Sequence, residues 1–143
     1  MNITVVNEQG RVPVTVLHID GDIDSSNYEQ LDQVAEKQIA AGMQYILIDL
    51  SEVGFISSAG FRSFTRIFKE LRSHSMDASE QEMHKGINSG AYKSPYLKIF
   101  KPSKLVAETM KIAGFDMLLE VHHDMQAALD SFQKNGFSSK TQS

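Results

Sequence analysis

One stretch of the chain, residues 45–61, most narrowly limits what the sequence can fold into. It opens with a short apolar run, residues 45–50, whose branched side chains are typical of a strand buried on both faces. Large apolar side chains then recur at helical spacing, namely Phe61, Phe64, Ile67, Phe68 and Leu71. That spacing predicts a helix with one apolar face directed at a core. The stretch therefore predicts a strand that leads directly into an amphipathic helix.

Two adjacent hydroxyl side chains, Ser57 and Ser58, lie at the predicted start of that helix. Free backbone N–H groups and the positive end of the helix dipole favour an oxygen atom there, and favour a negative charge more strongly. A phosphate group is well accommodated at such a position. From the residues alone, however, the simpler interpretation is that the serines are helix caps, worth about 1 kcal/mol to stability.

The order of the other elements predicts an α/β fold. Strands are expected at 3–6, 12–19, 45–50 and 96–100, with a short edge strand at 117–121. The first two should pair as an antiparallel hairpin, and helices should connect the later strands by parallel crossovers. We expect a mixed sheet of four or five strands packed by about four helices.

Polar residues mark the predicted helix starts. Ser26 and Glu29 have the spacing of a capping box, and Ser103 and Asp124 are suitable N-caps for two later helices. On the helix after Ser103, the side chains expected to face the core are Leu105, Val106, Thr109, Met110 and Ile112. Loops at the carboxyl ends of strands commonly carry the site in such sheets, so residues 21–26 and 53–60 should lie close together.

Length and composition indicate one globular domain, residues 1–134, within the 143-residue chain. A polar segment at 73–95 interrupts it, and residues 135–143 read as a flexible tail. The net charge of −4 comes from scattered residues and disfavours direct nucleic-acid binding. The absence of cysteine excludes disulfides and thiolate chemistry. No stretch resembles a signal peptide or a membrane-inserting segment, so a cytoplasmic location is expected.

The acidic loop after the second strand does not match a calcium site. Asp20, Asp22 and Asp24 alternate as calcium ligands do, but the sixth and twelfth positions counted from Asp20 are Ser25 and Leu31. A calcium-binding loop needs glycine and glutamate there. We therefore expect a solvated acidic loop and no bound metal.

Enzyme signatures are missing from the sequence as well. It contains no Gly-x-Ser-x-Gly elbow and no phosphate-cradling glycine loop followed by lysine. His122 and His123 are adjacent, and adjacent histidines on regular backbone diverge rather than converge on a metal. The chain is expected to be a binding protein without a catalytic site or cofactor.

Five short motifs together resemble those of a known family. They are residues 21–24 (Gly-Asp-Ile-Asp), 49–51 (Asp-Leu-Ser), 55–62 (Phe-Ile-Ser-Ser-Ala-Gly-Phe-Arg), 101–103 (Lys-Pro-Ser) and 113–115 (Ala-Gly-Phe). In these motifs the chain resembles the STAS domain, the family of bacterial anti-sigma-factor antagonists. The resemblance covers nearly the full length apart from the polar segment and the tail, and implies a STAS-like fold.

The resemblance also implies a function and a site. In members that switch sigma factors, the serine two places before the motif glycine is phosphorylated by a partner that is both kinase and anti-sigma factor; here it is Ser58. Many regulated members carry aspartate just before that serine, where this chain has Ser57, so Ser57 is the alternative acceptor. The implied partner-binding surface comprises Asp22, Asp24, Ser25, Ser57, Ser58, Ala59, Gly60, Phe61 and Arg62.

The implied partners are an anti-sigma factor of the GHKL serine-kinase type and a PP2C-type phosphatase that restores the unmodified form. Whether the chain forms a homodimer is left open. Two other functions are also left open: a structural or sensory subunit of a larger stress-signalling or lipid-transport complex without phosphorylation, and a small-ligand sensor in which the segment 73–95 closes over a pocket.

Overall fold

A computed structural model describes residues 1–74 and 93–133. Within them five strands form one sheet in the order β1-β2-β3-β4-β5. The strands are β1 (Asn2–Gln9), β2 (Pro13–Asp20), β3 (Ile46–Glu52), β4 (Leu97–Phe100) and β5 (Val121–His122). β1 pairs antiparallel with β2, and all later neighbours pair parallel. The predicted mixed α/β sheet with a leading hairpin is confirmed.

Four α-helices are present in the described part of the chain. They are α1 (Tyr28–Ala40), α2 (Ser58–Ser73), α3 (Lys104–Ile112) and α4 (Met125–Asp130), and a 3-10 helix spans Phe115–Met117. Nearly all of the polar segment 73–95 and the whole of the tail 135–143 lie outside the described residues. Their predicted character and the domain boundaries therefore stay predictions.

The central strand is buried on both faces, as its composition predicts. Every side chain from Tyr45 to Leu50 is buried, including that of Asp49. Because successive side chains of a strand point to opposite faces, both faces of β3 must be covered. Full burial of each large aliphatic side chain contributes about 1.5–3 kcal/mol, so β3 is a main source of the fold's stability.

The prediction of an edge strand at 117–121 is wrong except at its last residue, since β5 begins at Val121. Gly114 adopts a left-handed φ of 85°, and the chain then turns through the 3-10 helix before a strand of only two residues. This short helix buries Phe115, and the loop after it buries Leu119. Burial of two large side chains in a turn of the chain outweighs the strand propensity of the segment.

The expected core face of α3 is partly wrong. Val106 and Met110, four residues apart, are buried, whereas Leu105 is 55% exposed and Ile112 is 87% exposed. Leu105 and Ile112 are seven residues apart and therefore lie on a second stripe of the same helix. A nine-residue helix packs against the domain along one stripe, and here the second stripe is left at the surface.

Candidate functional site

The β3–α2 junction gives its two serines different roles. Ser57 is the N-cap of α2, and its hydroxyl accepts a hydrogen bond of 3.4 Å from the Gly60 N–H. Ser58 is the first residue of the helix, is exposed, and its hydroxyl forms no hydrogen bond with any described residue. The fold thus uses the Ser57 hydroxyl and leaves the Ser58 hydroxyl available.

Backbone contacts hold the β2–α1 loop against this junction. Ile23 forms an isolated parallel bridge with Ile56. The Ile23 N–H donates to the Phe55 carbonyl at 3.0 Å, and the Ser57 N–H donates to the Ile23 carbonyl at 2.9 Å. The expected proximity of segments 21–26 and 53–60 at the carboxyl edge of the sheet is therefore observed.

Gly60 allows the two loops to approach this closely. A Cβ atom at Gly60 would lie 2.7 Å from Cγ2 of Ile56 and 2.9 Å from Cγ2 of Ile23. Both isoleucines are almost fully buried, so neither methyl group can move freely. The glycine of the motif is needed because the helix packs directly on both loops.

The acidic loop is organised around Asp24. Its Oδ1 accepts hydrogen bonds from both the backbone N–H and the hydroxyl of Ser26. These two bonds, the hydroxyl bond foremost, lower the pKa of Asp24 from its ordinary value of 3.8. Asp24 is therefore a carboxylate at neutral pH, and it places a negative charge on the loop beside the β3–α2 junction.

The predicted capping box at Ser26 is wrong. The N-cap of α1 is Asn27, and its side chain makes no capping bond to the helix. Instead the Asn27 amide accepts from the Asp24 N–H and donates to the Asp22 carbonyl, each at 2.9 Å. Asp24 has already engaged Ser26, and local side-chain bonds of this kind compete with helix capping.

The residues of the predicted partner surface differ in accessibility. Those that reach the surface are Asp22, Ser25, Ser58 and Arg62, which are exposed, and Asp24 and Ser57, which are half-buried. Ala59, Gly60 and Phe61 are buried. The exposed residues can contact a partner, and the buried ones position the start of α2.

The site continues into a groove between α2 and α3 that the sequence reasoning missed. Its volume is about 540 Å³. It is lined by Phe55, Ile56, Ser57, Ser58, Phe61, Arg62, Thr65, Thr109, Ile112, Ala113 and Phe115. Phe61 stacks on Phe115 with ring centroids 5.3 Å apart and forms part of its wall. The available signal in the sequence was Ile112, an apolar side chain that helical spacing places on the core face.

A separate polar cluster lies deeper at the carboxyl end of β2 and β3. His18 Nδ1 and Asp49 Oδ2 are 2.8 Å apart, and Asp49 Oδ1 accepts from the Ser51 N–H and hydroxyl. Burial opposes ionisation of Asp49, but the bonds from His18 and Ser51 outweigh it and lower its pKa below the ordinary 3.8. Ser51 contacts the carboxylate and not the imidazole, so this is no catalytic triad.

Neither a candidate metal cluster nor a membrane-spanning helix is found among the described residues. Across residues 1–74 and 93–133, no three histidine or acidic side chains group in a way that could hold a metal ion. None of the helices in that part is both long and apolar enough to span a bilayer.

A comparison with models of known families shows to which family the chain belongs. The model of the STAS domain matches residues 4–78, just over half of the chain. The chain belongs to the STAS domain family. The match includes both loops of the site and the whole of α2, whereas the α3 side of the groove lies outside it.

Several proteins similar to this STAS domain are named for a function. The chain is 27% identical over 115 residues to BtrV of Bordetella bronchiseptica, named as an anti-sigma factor antagonist, covering 80% of this chain and 83% of BtrV. An anti-sigma factor antagonist from Mycobacterium paratuberculosis superposes with a TM-score of 0.65 at 17% identity, over 93% of this chain and 96% of that one. Unphosphorylated SpoIIAA gives 0.59 at 15% identity, over 90% and 96%. At these identities the two structures show a shared fold.

Proposed function

We propose that this STAS domain is an anti-sigma factor antagonist that binds an anti-sigma factor while Ser58 is unmodified and is released when Ser58 is phosphorylated. The proposal rests on the structural difference between Ser57 and Ser58. Ser57 caps α2, whereas the exposed Ser58 hydroxyl has no bond to any described residue and so has no evident structural task. The name of BtrV, a relative at 27% identity, supports the same function.

A phosphate on Ser58 would change the surface more than the fold. It adds about −1.5 to −2 charges at neutral pH. Inside the domain, the free N–H groups at the start of α2 accommodate that charge. Outward, the charge adds to the carboxylate of Asp24 on the neighbouring loop. A partner whose surface fits the unmodified Ser58 would have to desolvate the charged phosphate once Ser58 is modified, which is costly without a matched cation.

The partner is proposed to be an anti-sigma factor of the GHKL serine-kinase class, which binds ATP and transfers its γ-phosphate to Ser58. A PP2C-type phosphatase would remove the phosphate and restore the binding form. The antagonist itself would be a non-enzymatic phosphoprotein of the cytoplasm that regulates transcription through this partner switching.

The test uses the purified chain, the cognate anti-sigma factor kinase and ATP, with the modified residue located by mass spectrometry. We expect phosphate on Ser58 of the wild type, none on Ser58→Ala, and normal modification of Ser57→Ala. A Ser58→Asp variant should bind the kinase more weakly than the wild type. A chain that stays unmodified, or a stoichiometric complex that persists in ATP, would refute the switch and favour a structural subunit instead.

A further inference from the structure

The groove beside Ser58 is one half of a longer depression along α2, here called the α2 trough. Its second half, about 610 Å³, is lined by Arg62, Thr65, Arg66, Lys69, Glu70, Arg72 and Ser73. Arg62 and Thr65 line both halves, so the two adjoin along α2. The first half, here called the apolar half, exposes mainly apolar surface. In the second, here called the basic half, four of the seven lining residues are basic.

The apolar half exposes two large apolar side chains, and their removal from water by a partner would be favourable. Phe55 is 48% exposed on one wall, and Ile112 is 87% exposed on the other. Both lie beside Ser58, which lines the same half. Each Å² of apolar surface that a partner removes from water contributes about 25 cal/mol to the free energy of binding.

The basic half carries two cations that none of the described residues neutralises. Arg66 is paired with Asp32 at 3.3 Å. Arg62 and Lys69 form no ion pair with any residue in 1–74 or 93–133. Glu70 is the one acidic residue among the described residues that line this half, so the lining has a net positive charge. Charge complementarity therefore selects an acidic partner surface.

From these features we infer that the α2 trough binds an amphipathic helical segment of the anti-sigma factor. The segment places an apolar side chain between Phe55 and Ile112 and acidic side chains against Arg62 and Lys69. Ser58 and Lys69 are about 17 Å apart along the helix at about 1.5 Å per residue, so the segment needs about three helical turns. The inference rests on the proposed function, because the partner is the one named there.

The trough also explains how one phosphate could act on the whole interface. At Ser58 it would retain water where the partner's apolar side chain has to sit. Arg62 lies four residues along the helix from Ser58, the spacing at which side chains on a helix pair. A phosphoserine would draw Arg62 away from the acidic end of the partner segment.

The test measures affinity of the unphosphorylated chain for the purified cognate anti-sigma factor kinase, loaded with a non-hydrolysable ATP analogue, by calorimetry. Ile112→Asp is compared with Leu105→Asp, an exposed side chain on the same helix that does not line the trough. Arg62→Glu is compared with Lys104→Glu, an exposed cation outside both halves. Circular dichroism checks that all four variants fold.

We expect Ile112→Asp and Arg62→Glu each to weaken binding by about tenfold or more, as is common for interface anchors, with both controls within about twofold of wild type. Binding should also weaken with added salt, and less so for Arg62→Glu. If the wild type binds and neither trough variant differs from its control, the trough is refuted while the proposed function stands. If the wild type does not bind the kinase, the proposed function fails and the inference with it.

Discussion

Replacing Gly60 by alanine tests whether the close packing of α2 on the two loops is what builds the site. The new Cβ would lie 2.7 Å and 2.9 Å from methyl groups of Ile56 and Ile23, and 3.1 Å from the Ile23 carbonyl oxygen. Overpacking of this kind costs about 1–3 kcal/mol. Alanine's better helix propensity returns up to about 1 kcal/mol. We expect a net loss of about 1–2 kcal/mol, although a glycine-to-alanine change in a helix would otherwise stabilise it.

Urea unfolding followed by circular dichroism gives the free energy directly, and thermal unfolding should show a fall in Tm of about 3 °C per kcal/mol for a chain of this size. Ser58→Ala, an exposed helical position, serves as the control and should be close to neutral. The Gly60→Ala variant should also bind the proposed kinase partner more weakly, because the new Cβ pushes the start of α2 away from Ile23 and Ile56. A Gly60→Ala protein as stable as the wild type would refute the packing argument.

Three further changes test other parts of the structure. Ser57→Ala should lower the free energy of unfolding, measured in urea, by about 1 kcal/mol because it removes the N-cap of α2. Ser58→Ala should lower it by less, and equal losses would contradict the roles assigned to the two serines. The pKa of Asp49 is lowered in the fold, so its stabilisation is present above pH 3.8 and is lost as pH falls through the lower folded-state pKa. Asp49→Asn should therefore flatten the loss of stability below that pH in acid titrations; an unchanged slope would argue against it. The buried Lys98 ammonium donates to the Ser131 carbonyl at 3.0 Å and to the Glu120 carboxylate at 3.2 Å, and Lys98→Met should cost about 1–3 kcal/mol by removing both bonds. Hydrogen exchange should then rise in α4, and unchanged protection there would count against this role.

Much of the fold follows from the sequence because its signals are local. The run 45–50 is apolar enough to need burial on both faces, and Ser103 and Asp124 do accept bonds from the N–H groups of Val106 and Ala127, as N-caps should. Spacing alone was sufficient for these elements because each interaction spans only three or four residues.

The sequence predictions were wrong where a residue has an alternative partner or environment that its spacing does not reveal. Ser26 has capping-box spacing, but Asp24 is nearer and takes its hydroxyl. Ile112 and Met110 both fit an apolar helix face, and only the position of the sheet decides which stripe is buried. The groove at the site was missed for the same reason, since an exposed apolar stripe and a buried one have the same sequence pattern.

The neutral N-cap has a consequence for the folding stability of a phosphorylated domain. α2 has no acidic side chain in its first turn, and its cap is Ser57, so its positive end is not offset by a nearby carboxylate of the helix. A phosphate on Ser58 would supply the missing charge and gain about 0.3–1 kcal/mol for the modified fold. The phosphorylated domain would then be slightly more stable to unfolding than the unmodified one. The switch would therefore act through the charge at the surface, and it would not require any loosening of the fold.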